Sequence, residues 1–375
     1  MPPAESRPIV IPEIEQLGGA ERSVLALLRW LHQRGLAAYV LTYRDHCGLA
    51  RFAAHPIEVV ELGATGAWSR ITALRAHFRA RPQSAPQPLL SGYQPALHAT
   101  LAGMRGFHDL MHDTPALFAD PARRTWRSNL RLAVSNHVVG AGLLSGGNTI
   151  VTSEYQREEC RRDFGVEAYV VRMGGMADAQ REFRAHRVGN ELCMLSVSRI
   201  EPNKRIDWIL RGLAALEASP SPLSSRIPWR FEVVGKGPML DELRALAATL
   251  GIVERVKFHG FVPDGELEQL YAGAHLFLMP AVQGYGIPAI ESLQRGIPVF
   301  LHRESGVSDI LQETPWATVM EGGESEMPGA LIKAIDQVLG GRYLTEALPE
   351  LPTEDAWAEE VARLCGWVDA GGQQR

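Results

Sequence analysis

At 375 residues, with 46% hydrophobic and 22% charged side chains, the chain has an ordinary globular composition and a length better suited to two α/β domains than to one. No run approaches the roughly 18 apolar residues of a membrane-spanning helix, and the stretch 1–16 lacks a basic leader, so a cytoplasmic protein is expected. Residues 1–190 hold 22 Arg, no Lys and 17 acidic residues, a net of +5, whereas 191–375 hold 16 basic and 26 acidic residues, a net of −10. That asymmetry predicts different partners for the two halves.

The first element, 8–12, reads as a strand. A loop with Gly18 and Gly19 follows, then a helix over 21–34 with Val24, Leu27, Leu28 and Leu31 on one face. Gly35 stops it and 38–42 resumes as strand. This βαβ start predicts a parallel sheet covered by helices. Further strands are expected at 57–62, 88–91, 106–111 and 149–152, with helical stretches between them. Residues 176–190 are polar and without periodicity, and read as a connection. The pattern then restarts, with strands at 192–197, 231–234, 256–259, 276–279 and 299–301. They alternate with helices at 206–217, 239–250, 266–272 and 288–295. The tail, 353–368, reads as one amphipathic helix. The expected domains are 1–180, 190–345 and a C-terminal piece, 346–375, packing back on the first. Cys47, Cys160, Cys193 and Cys365 lack metal-ligand spacing and are expected to be free thiols.

Three stretches carry possible chemistry. In Pro280-Ala281-Val282-Gln283-Gly284-Tyr285-Gly286-Ile287-Pro288, a strand runs through a Gly-x-Gly turn into a helix with proline in its first turn. Backbone N–H groups and the helix dipole there suit an anion, and Glu291, one turn in, suits vicinal hydroxyls. Two purely structural glycines are the other reading. In Ser198-Arg199-Ile200-Glu201-Pro202-Asn203-Lys204-Arg205, Arg199 and Lys204 straddle a strand-to-helix loop and can converge on one anion, a diphosphate being the natural choice. A solvated basic turn is the alternative. Val234-Gly235-Lys236-Gly237-Pro238 is a third strand–glycine–helix junction, weak by itself.

Together, in order, these segments and Gly18-Gly19-Ala20-Glu21-Arg22 resemble the family 4 glycosyltransferases of the GT-B fold, over residues 9–310. The resemblance implies two Rossmann-like doubly wound domains facing a central cleft. It also implies a retaining, metal-independent hexosyl transfer from a nucleotide-diphosphate sugar to an acceptor hydroxyl on a glycan, lipid or natural product. No cofactor and no bound metal are expected, and nucleic acid is not an expected partner. By the same resemblance Arg199 and Lys204 neutralise the donor diphosphate, and Gly18 and Gly19 close over the phosphates. Gly235 lines the donor, Gly284, Tyr285, Gly286 and Ile287 supply the turn's N–H groups, and Glu291 holds the ribose. The family's acid at the sugar end is replaced by Gln283, which keeps an acceptor and gains two donors but loses the charge.

The family's N-domain histidine falls in Gly106-Phe107-His108-Asp109-Leu110-Met111-His112-Asp113. His112, at the strand's end, fits better than His108 within it, although a structural histidine is the other reading. Between 64 and 131 there are nine Arg against three Asp, and 123–131 interleaves Arg with Trp126. That stretch offers a peripheral contact with an anionic membrane or acceptor; a solvated helix with one packed Trp is equally compatible. Two rivals to a transferase stay open: a GT-B nucleotide-sugar epimerase, and a catalytically silent GT-B subunit that binds nucleotide or a partner.

Overall fold

The computed structural model describes residues 2–15, 17–112, 125–175, 187–312 and 314–369. The chain forms two compact units, Met1–Ala177 with Pro352–Arg375, and Asp178–Leu351.

Unit 1 follows the βα alternation of its sequence. In chain order it contains β1 (Arg7–Val10), β2 (Glu13–Ile14), α1 (Gly19–Gln33), β3 (Ala38–Thr42), β4 (Arg44–Asp45), β5 (Glu58–Glu61) and α2 (Ala67–Arg79). Next come β6 (Leu89–Ser91), α3 (Tyr93–Leu101), β7 (His108–Leu110), α4 (Trp126–Leu143), β8 (Thr149–Val151), α5 (Glu154–Phe164) and β9 (Tyr169–Val170). The main sheet runs β5-β3-β1-β6-β7-β8-β9, parallel throughout, while β2 and β4 pair with each other. Strands covered on both faces lose their polar alternation. Ile9, Val10, Val40, Leu41, Leu89 and Leu90 are accordingly all buried. Gly35, at φ 70°, ends α1 with its N–H on the His32 carbonyl.

Unit 2 begins with β10 (Leu192–Val197), α6 (Ile206–Glu217), α7 (Leu223–Arg226), β11 (Trp229–Val234), α8 (Leu240–Thr249), β12 (Val256–Gly260) and α9 (Asp264–Ala272). It continues with β13 (Leu276–Met279), α10 (Ile287–Gln294), β14 (Val299–His302), β15 (Ala317–Met320) and α11 (Met327–Gly340). Its parallel sheet runs β12-β11-β10-β13-β14-β15. Strand order reverses between β10 and β13. In a doubly wound sheet that reversal opens a crevice outside the carboxyl ends of the two strands. The loops leaving β10 and β13 are the two densest motifs of the sequence.

The chain then returns to unit 1 with α12 (Glu354–Leu364). Trp357 and Val361 are buried on its inner face, and Arg29 of α1 pairs with Glu354 at 3.1 Å and Asp355 at 2.9 Å. The segment beyond is tied in by hydrogen bonds. Arg7 Nη2 donates to the Trp367 carbonyl (3.2 Å), Trp367 Nε1 to the Gln87 carbonyl (3.2 Å), and Asn148 Nδ2 to the Leu364 carbonyl (2.7 Å).

Of the expected connection at 176–190, residues 176–186 lie outside the described residues, as do Asp113, Arg123 and Arg124. The four cysteines are free, and Cys160, Cys193 and Cys365 are buried. Among the described residues no helix is long and apolar enough to cross a membrane.

Candidate donor site in unit 2

The site is built where two loops lock together. Val282 N–H donates to the Asn203 carbonyl (2.9 Å) and Asn203 Nδ2 returns a bond to the Val282 carbonyl (3.1 Å). This reciprocal pair fixes the register of the basic loop against the Gly-x-Gly loop. Lys204 Nζ then reaches Gln283 Oε1 at 2.7 Å. The chain turns sharply at Arg205, the only non-glycine residue with positive φ (53°) among the described residues. Its guanidinium lies 4.2 Å from the Trp208 ring centroid and pairs with Glu304 at 2.7 Å. Arg205 was not singled out in the sequence; it holds the loop and draws Glu304 to itself.

Gln283 is gripped at both ends of its amide. Besides accepting from Lys204, it donates through Nε2 to Ser305 Oγ (3.2 Å) and faces Met279 Sδ (3.1 Å). The Ser305 hydroxyl gives its own hydrogen to the Tyr285 carbonyl at 3.0 Å. It therefore faces Gln283 as an acceptor, and a thioether sulfur is acceptor-only as well. Nε2 accordingly occupies a position that calls for a donor. A carboxylate oxygen there would meet two acceptors, so an amide suits this position and an acid does not. Ser305 and Glu304 were missed in the sequence because their links to Gln283 are tertiary, and Met279, four residues before it, because nothing marks a methionine at a strand's end. An isolated parallel bridge joins Gln283 to Ser305 after β14 has ended.

The helix start forms as expected, with Gly286 as the N-terminal cap of α10, Ile287 opening the helix and Pro288 in its first turn. Gly286 sits at φ 132°, and a Cβ there would lie 2.7 Å from both Gln283 Nε2 and Met279 Cε. Only glycine suits that position. Gly284 and Tyr285 are buried, and the Tyr285 carbonyl also accepts from Val307 N–H (3.1 Å). Glu291 lies one turn on, with Tyr271 Oη at 3.5 Å from its carboxylate; Arg295 stacks 4.3 Å from the Tyr271 ring centroid.

On the other side of β10, Gly235 directly follows β11. Its φ is 137°, and a Cβ would fall 1.8 Å from the Ser198 carbonyl oxygen. Ser198 Oγ itself is buried and makes no hydrogen bond among the described residues. Arg199 differs from its predicted partner. It is 57% exposed and pairs with Glu201 at 3.2 Å, whereas Lys204 is directed to Gln283. Among the described residues no cluster of three or more His, Cys, Asp or Glu could hold a metal ion.

The remaining predicted residues belong to unit 1. Gly18 caps α1, its N–H donating to Glu21 Oε2 at 2.9 Å, and Gly19 opens that helix. His112 lies two residues beyond β7; its Nε2 is 2.9 Å from Ser91 Oγ, and its carbonyl accepts from the Gln156 amide. His108 is within β7, as expected. Burial pushes both imidazoles down to about 4, so both are neutral at pH 7. Between them Asp109 is fully buried, its carboxyl oxygens without a hydrogen-bonding side chain among the described residues, and burial raises its pKa well above the usual range.

These shifts act in opposite directions on stability. The histidines bind protons in the unfolded chain before the folded one, so their contribution is lost as pH falls from 6.5 toward 4. Asp109 keeps a proton in the folded state that the unfolded chain releases, so its contribution is lost as pH rises above about 4. Asp109→Asn is therefore expected to steepen the fall of stability with acid in that window. Urea unfolding at several pH values measures this slope.

Comparison with known proteins bears on the same region. Residues 178–350 match the family model Glycosyl transferases group 1. The chain is 27% identical over 255 residues to the GDP-mannose-dependent alpha-(1-6)-phosphatidylinositol monomannoside mannosyltransferase of Mycolicibacterium smegmatis, covering 60% of this chain and 64% of that protein. It is 29% identical over 192 residues to the D-inositol 3-phosphate glycosyltransferase of Acidothermus cellulolyticus, covering 49% and 42%. The chain thus spans less than two thirds of the length of these curated relatives. Among solved structures it superposes on WaaG, a glycosyltransferase involved in lipopolysaccharide biosynthesis, with a TM-score of 0.69 at 17% identity, covering 96% of this chain and 99% of that one. The sucrose-phosphate synthase of Thermosynechococcus elongatus gives 0.70 at 16%, covering 96% and 95%. Anabaena HepE in complex with UDP gives 0.67 at 16%, covering 95% and 94%. The fold is GT-B, made of two Rossmann-like units with parallel sheets.

Proposed function

We propose that the chain is a hexosyltransferase-type glycosyltransferase of family 4, transferring a sugar from a nucleotide-diphosphate sugar to an acceptor hydroxyl with retention of configuration. The observation that carries this reading is the Lys204–Gln283 contact at the strand-order reversal, which brings the basic loop and the helix start to one place. Support comes from the group 1 match over the same unit and from relatives whose names specify sugar transfer. Lys204 binds the donor diphosphate, Arg199 leaves Glu201 to join it, and the start of α10 meets the same charge through its dipole. Glu291 accepts from the ribose hydroxyls. His112, as a neutral imidazole, bonds a sugar hydroxyl.

In the reaction the bond from the sugar's anomeric carbon to the diphosphate oxygen breaks, and a bond to the acceptor oxygen forms on the same face. The acceptor proton passes to the departing diphosphate. The protein's own contribution is positioning and stabilisation of the leaving charge. Neither a metal nor a cofactor enters the proposal.

A silent, nucleotide-binding subunit is the second reading, favoured by the amide at position 283 where the family has an acid. Following nucleotide release from a panel of UDP-, GDP- and ADP-sugars separates the two. Turnover with one donor and an acceptor supports transfer; tight nucleotide binding without turnover on any donor overturns it. Within the transfer reading, Gln283→Ala is expected to lower turnover at least tenfold, the value of a hydrogen bond to a charged group of about 1.5–3 kcal/mol. Thermal melting of the variant checks that the fold is intact.

A further inference from the structure

The first half of α4 stands out from the body of unit 1. Thr125 caps it, accepting from Ser128 N–H, and every residue from Thr125 to Arg131 is exposed. Trp126 is 71% exposed, Leu130 57% and Val134 57%. At about 100° per residue these three fall on one strip of the helix, about 12 Å long. The buried side chains of the same helix, Val139 and Leu143, fall on the opposite side. The exposed strip is therefore not the core face overshooting its cover; it is a second apolar face. Trp126 does not pack into the protein, contrary to one of the readings the sequence allowed.

The border of that strip is basic. Arg127 and Arg131 follow Leu130 and Val134 around the helix, with the Arg127 guanidinium 5.3 Å from the Trp126 ring centroid. No Asp or Glu occurs anywhere in Trp126–Leu143. A strip of large apolar side chains with arginine along one edge, and no acidic residue on the helix, suits a surface that is apolar inside and anionic at its boundary. Tryptophan, with an apolar body and one N–H donor, is the residue best adapted to that boundary.

We propose that this face of α4 docks on an anionic lipid bilayer, with the helix lying in the plane of the interface. Trp126, Leu130 and Val134 enter the acyl boundary, while Arg127 and Arg131 contact the phosphates. The inference is independent of sugar transfer and is tested without it. The full chain is sedimented with vesicles of pure phosphatidylcholine and with vesicles containing phosphatidylglycerol. Binding is expected to the anionic vesicles, weakened by salt and weak on phosphatidylcholine alone. Leu130→Glu should reduce it at least tenfold, and Arg127→Gln or Arg131→Gln about fivefold each. All three positions are exposed, so melting temperatures should stay near that of the parent chain. Absence of binding to anionic vesicles, or equal binding by Leu130→Glu, overturns the proposal. So does a dimer in lipid-free solution that Leu130→Glu dissociates, because the face would then belong to a second copy of the chain.

Discussion

Lys204→Ala is expected to lower kcat/KM for sugar transfer by about two to three orders of magnitude and to leave the melting temperature almost unchanged. Removing a positioned group that meets charge developing on a leaving group costs about 3–4 kcal/mol of transition-state stabilisation. Lys204 is placed for that task by the paired loops, and its ammonium bonds Gln283. Its neighbour Asn203 makes the backbone and side-chain bonds to Val282, and Arg205 makes the ion pair to Glu304. Losing the ammonium therefore removes the charge and spares the scaffold. Gln283 loses one donor but keeps Ser305. Steady-state nucleotide release with the best donor, together with thermal melting, checks both halves of the expectation. A near-parental rate would remove Lys204 from the diphosphate.

Gly235→Ala is expected to be the most damaging small substitution, costing about 3–5 kcal/mol. Two effects add. The residue sits at φ 137°, where any side chain is strained, and the new methyl would overlap the Ser198 carbonyl oxygen at 1.8 Å. That carbonyl belongs to the end of a central strand and cannot move without disturbing β10 and β11, which are in register through Val197 and Val234. A loss of that size should lower the unit's melting temperature by about 10 °C, read by calorimetry. Gly260→Ala is the control. It also has positive φ (70°), but nothing lies within 4 Å of its added Cβ, so it should cost far less.

The central strands were legible because they are buried on both faces. Leu192–Val197 and Leu276–Met279 coincide with the expected 192–197 and 276–279, as continuous apolar runs between polar breaks. The edge strands β5 and β12 were legible too, at the expected 57–62 and 256–259, but some shorter elements were not. Ala317–Met320 is an edge strand of four residues, and β2 and β4 are two residues each, too short for any period to register. The helix Met327–Gly340 was concealed by Pro328-Gly329 at its start, a pair that reads as a turn but is tolerated before the first helical hydrogen bonds form.

The site was legible in its parts and not in its wiring. The Gly-x-Gly helix start and the basic loop each carry a local signature. The bond from Lys204 to Gln283 spans 79 positions and has none. Nor could spacing reveal that Arg199 turns to Glu201, or that Ser305 dictates which end of the Gln283 amide points inward. Those depend on side-chain directions fixed only after the sheet has assembled.

The return of α12 to unit 1 has a consequence for synthesis. Trp357, Val361 and Trp367 fill unit 1's interior, yet they follow unit 2 in the chain. A ribosome that has finished residue 177 must still make all of 178–351 before the missing wall of that core exists. At about 5–20 residues per second the delay is on the order of 10–35 s. During that time the α1 face that later receives α12 is open to water. The nascent first unit is thus an incomplete body awaiting its last helix, while unit 2, continuous in sequence, can close first.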